Sequence, residues 1–312
     1  MAVRGYLRAT RKKRYRTVEA GLRSMAHALP AADAPDDPAG RLTTQALGGG
    51  DVVTVRPRSD AVAASGALVY LHGGAFVNGI QAQHWSLIAH LADTTGRRVH
   101  VARYPLAPAH DVTDAEAFLA ALHELLAPQA PLHVLGDSAG GTLTLLLAQA
   151  HAGDRSIAGL TLIAPWLDLS MSNPAIEAVE RRDPWLTRAG MRPIAARWAA
   201  GRDLTDPAVS PLYGDLGGLP PTLVLVGSRD ICRPDCDRLR GLAPPTADLT
   251  LHVEDGSPHD YPLLPTPEGR QARATISEHV LRTLSGSGPA GPPSPAGRAN
   301  RTKDAGPFRS AP

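Results

Sequence analysis

The chain has 312 residues, with 32 Lys and Arg against 30 Asp and Glu and a formal charge of +2. That length suits one sizeable α/β core, and the near balance of charge excludes a global field for nucleic acid. No apolar stretch reaches the ~18 residues of a membrane-spanning helix.

The first 45 residues read as an N-terminal helical segment without strand signal, broken by the Pro/Ala/Asp loop at 30–38. Its basic run, Arg11-Lys12-Lys13-Arg14-Tyr15-Arg16, is expected to be a solvated helix face rather than a nucleic-acid or membrane patch. It is not followed by the apolar run and small-residue cleavage site of a secretory signal, so a cytoplasmic location is expected.

From 46 to 285, short apolar runs alternate with helical patterns. Buried strands are expected at 67–71, 99–102, 132–135, 160–163, 222–226 and 249–253, each a near-continuous apolar run of the kind a two-face-covered parallel sheet needs. Between them, 114–127 carries apolar residues at helical spacing, and 139–150 and 273–284 are further helix candidates. Strand and helix in repeated alternation predict an α/β fold with a doubly wound, mostly parallel sheet. Its working residues belong at the carboxyl ends of the strands. Cys232 and Cys236 are too few and too close for a disulfide framework, and no metal site or cofactor is expected of them. The segment from 286 to 312 is Gly, Pro, Ser and Ala with scattered charge, the composition of a disordered tail.

Three strand ends carry chemistry. Gly136-Asp137-Ser138-Ala139-Gly140 follows a strand and precedes a helix, the context of a G-x-S-x-G nucleophile elbow. The bland alternative is a glycine-rich turn whose serine only caps the helix. His72-Gly73-Gly74-Ala75-Phe76 ends an earlier strand, where an oxyanion loop belongs; the expected donors are the N–H groups of Gly73, Gly74 and Ala139, with His72 bracing the loop. A serine needs a base and an orienting acid, in the chain order serine, acid, histidine. Asp230 stands just past a strand and His259 in the loop after the next one, which makes Ser138, Asp230 and His259 the candidate triad. Asp235, Asp237, Glu254, Asp255 and Asp260 are competing acids, and His84, His90, His110, His123 and His151 read as solvent-facing without a matched acid.

The pairing of His72-Gly73-Gly74 with Gly136-Asp137-Ser138-Ala139-Gly140-Gly141 resembles the hormone-sensitive-lipase-like family of α/β-hydrolases, the bacterial type IV esterases. Tyr104-Pro105-Leu106-Ala107-Pro108, Pro165-Trp166-Leu167-Asp168-Leu169 and Ser210-Pro211-Leu212-Tyr213 are similar to further family patterns. The resemblance covers roughly 45 to 285 and implies the α/β-hydrolase fold with a small helical cap, built from the N-terminal segment and an insertion at about 170–210. Ala75 replaces the third glycine, Pro105 a usual arginine, and Asp230-Ile231-Cys232-Arg233-Pro234-Asp235 the commoner acid motif.

Together these features predict a serine hydrolase that cleaves carboxylic esters of small to medium acyl chain without cofactor or metal. The alternatives are an amide or N-acetyl deacetylase on the same triad, or a non-catalytic ligand receptor, which the presence of all three reactive groups disfavours. Phe76, Trp85, Trp185 and Tyr213 are candidate substrate contacts. The expected partner is a small-molecule ester, with no nucleic acid and no membrane span; a homodimer is compatible with these features.

Overall fold

The computed structural model describes residues 2–35, 40–58 and 65–286. Nearly all of the expected tail lies outside the described residues, as do 36–38 of the proline loop. In chain order the elements are α1 (Ala2–Thr10), α2 (Lys12–Tyr15), α3 (Val18–Ala26), β1 (Leu42–Leu47), β2 (Gly50–Val55), β3 (Ala67–Leu71), α4 (Ala82–Thr95), β4 (Val99–Arg103) and α5 (Val112–Leu126). They continue with β5 (Leu132–Asp137), α6 (Ala139–Ala150), β6 (Ile157–Ile163), α7 (Ile176–Glu180), α8 (Arg188–Trp198), β7 (Thr222–Gly227), α9 (Arg233–Leu242), β8 (Leu249–Glu254) and α10 (Pro267–Leu284).

The strands form one eight-stranded sheet in the order β1-β2-β4-β3-β5-β6-β7-β8. β1 pairs with β2, and β2 with β4, antiparallel; every pair from β4 onward is parallel. β3 shows why its apolar run is continuous. Val69 and Leu71 point into the core beneath α5 and α6, while Leu68 and Tyr70 point to the opposite face, under α4 and α10. Both faces are dry, so neither side of the strand tolerates a polar residue without a partner.

The β1–β2 hairpin was not expected, and β1 begins inside the segment read as strandless. Its residues 43–46 are exposed at the sheet edge, so no alternation of burial marks them. α10 starts six residues before the expected 273, with Thr266 capping it through Gly269 N at 3.1 Å.

Helices α1 to α3 do not stand apart from the rest. Thr17 caps α3 by accepting from Ala20 N, and α3 lies against α8, the helix inserted between β6 and β7. The approach is backbone to backbone: a Cβ on Gly21 would come 2.1 Å from Gly190 O, and one on Gly190 would come 2.0 Å from Tyr15 O. The basic run is only in part a solvated face: Lys13 and Arg16 are exposed, but Arg11, Lys12 and Arg14 are half-buried. Lys12 Nζ donates to the carbonyls of Asp183 (2.5 Å) and Glu180 (3.2 Å). Arg14 donates to Ser24 Oγ and to Asn78 Oδ1.

Candidate active site

Ser138 sits between the end of β5 and the start of α6 with φ 51° and ψ −117°, a region that non-glycine residues avoid. The surrounding contacts hold it there. Its N–H donates to Ile163 O (2.8 Å), and its carbonyl accepts from Trp166 N (3.1 Å). The glycine after the turn is compelled by space, since a Cβ on Gly140 would lie 1.9 Å from Leu71 O. Ser138 Oγ makes no hydrogen bond among the described residues.

Asp137, the variable position of the elbow, is a hub that the sequence did not reveal. Its Oδ1 accepts from Tyr70 Oη (2.6 Å) and from Gly73 N (3.0 Å), and its Oδ2 lies 3.2 Å from His84 Nε2. Burial alone would raise this carboxyl, but His84, the Tyr70 hydroxyl and the Gly73 N–H together hold it below the ordinary carboxylate range.

The same contact corrects one expected oxyanion donor. The Gly73 N–H is already committed to Asp137, so it does not face an incoming carbonyl. Among the described residues the N–H groups of Gly74, Ala75 and Ala139 have no partner. The chain turns there through positive φ at Gly74 (127°), Ala75 (56°) and Phe76 (60°), the concave run of amides that receives an anion. His72 braces this loop. Its Nδ1 lies 2.7 Å from Gly73 O, its ring stacks on Tyr104, and Tyr104 Oη donates to His72 O. Burial and the nearby His84 push His72 down to about 4, so it is neutral at pH 7.

His259 Nδ1 lies 2.9 Å from Asp230 Oδ2, and both side chains are buried. The pair spans the ends of neighbouring strands: Asp230 follows β7 and His259 follows β8. Of the competing acids, Asp235 accepts from Asn173 instead, whereas Asp260 Oδ2 lies 3.2 Å from His259 Nε2. Burial would lower His259, but the carboxylates of Asp230 and Asp260 prevail and push it up to about 10. Behind Asp230 sits Asp183, fully buried, accepting from Trp185 N (2.6 Å), Leu186 N (3.0 Å) and Ile231 N (2.9 Å). Burial, and then the charge of Asp230, push Asp183 up to about 7.

A cavity of about 450 Å³ opens beside these groups. Gly74, Asp137, His84, Asp260 and Trp185 line it together with Val3, Tyr6, Leu7, Arg11, Tyr15, Leu29, Asn78, Gln81, Gln83, Leu263, Leu264 and Pro265, while Ser138 and His259 are not among its lining residues. Of the four aromatics expected at the substrate, only Trp185 lines it. Trp185 meets the His259 ring edge-on at 5.5 Å and carries the Arg11 guanidinium over its own ring at 5.6 Å. Phe76 is buried, stacked on Trp198 at 4.0 Å. Trp85 is packed under the other face of the sheet, donating to Ala32 O. Tyr213 Oη donates to Asp168 Oδ2 (3.0 Å), with Arg238 over its ring.

Three histidines read as lacking an acid have one: His84 pairs with Asp137, His110 with Asp114, and His123 with Asp154. His123, His151 and Asp154 bring three ligand-type atoms within 4.8 Å of one another. The two rings stack nearly parallel at 3.5 Å, so their in-plane lone pairs do not converge on a tetrahedral centre. Asp230, Cys232 and His259 form the other such group, but burial pushes the Cys232 thiol up, away from the thiolate a metal requires.

Residues 68–263 match the family described as alpha/beta hydrolase fold. The chain is 35% identical over 259 residues to an acetyl-hydrolase of Streptomyces hygroscopicus, covering 77% of this chain and 84% of that protein. Among solved structures, that of EstE5 soaked with p-nitrophenyl butyrate superposes with a TM-score of 0.75 at 27% identity, covering 91% and 98% of the two chains. An esterase from the bacterial hormone-sensitive lipase family gives 0.69 at 30% identity, covering 86% and 97%.

Proposed function

The chain belongs to the alpha/beta hydrolase fold family, in its hormone-sensitive-lipase-like branch, and from that premise we propose that it hydrolyses carboxylic esters through an acyl-enzyme on Ser138. The observation that carries the assignment is the strained Ser138 at the carboxyl end of β5, its Oγ without a hydrogen bond among the described residues, together with the hydrogen-bonded His259–Asp230 pair at the carboxyl ends of β7 and β8 of the same sheet. His259 Nε2 takes the hydroxyl proton as Ser138 attacks the carbonyl, and Asp230 orients the imidazole through Nδ1. The oxyanion is received by the N–H groups of Gly74, Ala75 and Ala139, each donor worth ~3 kcal/mol in the transition state. Water activated by His259 then releases the acid.

A cavity of about 450 Å³ supports a small to medium acyl chain, as does similarity to an acetyl-hydrolase. That relative's name also keeps N-acetyl substrates as a second reading on the same residues. The helices α1–α3 and the α7–α8 insertion are proposed to act together as the cap over this cavity, which residues Val3 to Tyr15 and Trp185 help to line. No helix among the described residues is long and apolar enough to cross a membrane. The cytoplasmic location proposed here is supported by Cys232 and Cys236, buried as free thiols.

The test is hydrolysis of p-nitrophenyl esters from acetate to palmitate by wild type and Ser138→Ala. Turnover of the C2 to C6 esters should fall by at least about 10³-fold in the variant. Equal rates in the two proteins would dismiss the triad assignment, and activity confined to N-acetyl substrates would select the second reading.

A further inference from the structure

The imidazole of His259 is held from both sides. Asp230 Oδ2 occupies Nδ1 at 2.9 Å, and Asp260 Oδ2 stands 3.2 Å from Nε2, the nitrogen that has to receive the serine proton. Ser138 Oγ meanwhile has no partner among the described residues. Asp260 is itself unusual. It takes the left-handed conformation (φ 52°, ψ 35°), which costs about 1 kcal/mol for a residue with a Cβ. Among the described residues its buried Oδ1 has no hydrogen-bond partner, although the residue borders the cavity. A buried carboxylate with one bare oxygen is unfavourable unless a positive charge lies beside the other.

Resting on the triad reading above, we propose that Asp260 is a positioning residue that holds Nε2 of His259 away from Ser138 in the resting enzyme, and that turnover begins when Nε2 leaves it. The proton balance follows from the surroundings. In the resting enzyme His259 is an imidazolium whose charge is stabilised by Asp260 Oδ2, 3.2 Å from Nε2 though not aligned as a hydrogen bond. Before it can act as base the imidazolium has to release its Nε2 proton to water, after which the neutral ring turns to Ser138 with its Nδ1–H on Asp230. The Ser138 proton then passes to Nε2 as the C–O bond to the substrate forms. Loss of the imidazolium proton to water leaves Asp260 a buried carboxylate with no cation beside it, so that proton is hard to lose. Burial is the largest influence on Asp260 and raises its carboxyl well above the ordinary range against the pull of His259, with Asp137 and Asp230 adding smaller upward pushes. The groups facing the pair are Asp230 from the loop after β7, Asp183 from the loop before α8, Asp137 from β5, Cys232 at the start of α9 and Tyr70 from β3. Arg273 of α10 is turned to the carbonyls of Pro262 and Leu263.

The experiment is the pH profile of kcat/KM on p-nitrophenyl acetate for wild type, Asp260→Asn and Asp260→Gly. The glycine variant suits φ 52° and is expected to fold at least as well as the wild type. Freeing Nε2 should move the rising limb at least about one pH unit downward in both variants, a tenfold gain in kcat/KM on that limb. A loss of stability alone would not move the limb. Folded variants whose limb stays within ~0.2 unit of the wild type would overturn the role of Asp260. Ser138→Ala and His259→Gln run alongside: activity retained there overturns the triad reading itself, while activity lost there with an unmoved limb overturns only Asp260.

Discussion

The Tyr70 hydroxyl and the Asp137 carboxylate meet at 2.6 Å beneath the elbow, joining the end of β3 to the end of β5. Because Asp137 also accepts from Gly73 N, this one contact fixes the oxyanion loop relative to the nucleophile. Tyr70→Phe keeps the ring and removes the donor. It should cost about 2 kcal/mol of stability, the range for a hydrogen bond to a charged group, read as a lower urea midpoint at unchanged slope.

Gly140 and Gly241 should respond in opposite directions to the same substitution. A methyl at Gly140 meets Leu71 O at 1.9 Å, so Gly140→Ala is expected to give no folded, active protein. Gly241 lies in α9 with nothing within 4 Å of its would-be Cβ. Gly241→Ala should raise stability by up to ~1 kcal/mol through helix propensity, with esterase activity unchanged.

Asp183 gives a pH-dependent prediction. Its folded value is raised to about 7 from 3.8, so the unfolded chain gives up this proton first. The carboxyl therefore makes the protein less stable as pH rises from about 4 to 7, and adds no further change above 7. Asp183→Asn should lose that dependence. Its stability relative to wild type should improve steadily between pH 4 and 7 and then level off, as followed by thermal melts.

Trp185 touches both the cavity and the base. Trp185→Ala removes an edge-on contact to His259 and the seat of Arg11, together worth about 1.5 kcal/mol. The expected result is a roughly tenfold fall in kcat/KM on p-nitrophenyl butyrate. A fall confined to KM would mean that Trp185 only lines the cavity.

The central strands were legible in the sequence because both faces of each are buried, so an apolar run is the strand. β1 was not, because four of its six residues are exposed and its pairing depends on β2 alone at the sheet edge. Its place directly after a strand singled out Asp230 from six nearby acids, and that carboxylate does lie on His259 Nδ1. Asp260, weighed only as a rival for the same nitrogen, stands on the other one. Neither its placement nor the His84–Asp137 pair follows from local pattern, since each depends on how distant loops dock. The Gly73 donor failed for the same reason: its competitor, Asp137, is 64 residues away.

The close seating of α3 on α8 joins segments made far apart in time. Thr187 hydrogen-bonds to the carbonyl of Tyr15 across 172 residues, and at ~5–20 residues per second that gap takes roughly 9–34 s to synthesise. Throughout that interval the faces of α2 and α3 that pack on α8 have no native surface to rest on. The nascent chain must therefore keep them from straying contacts until the inserted helix emerges, and the mouth of the cavity is among the last parts of the protein to take shape.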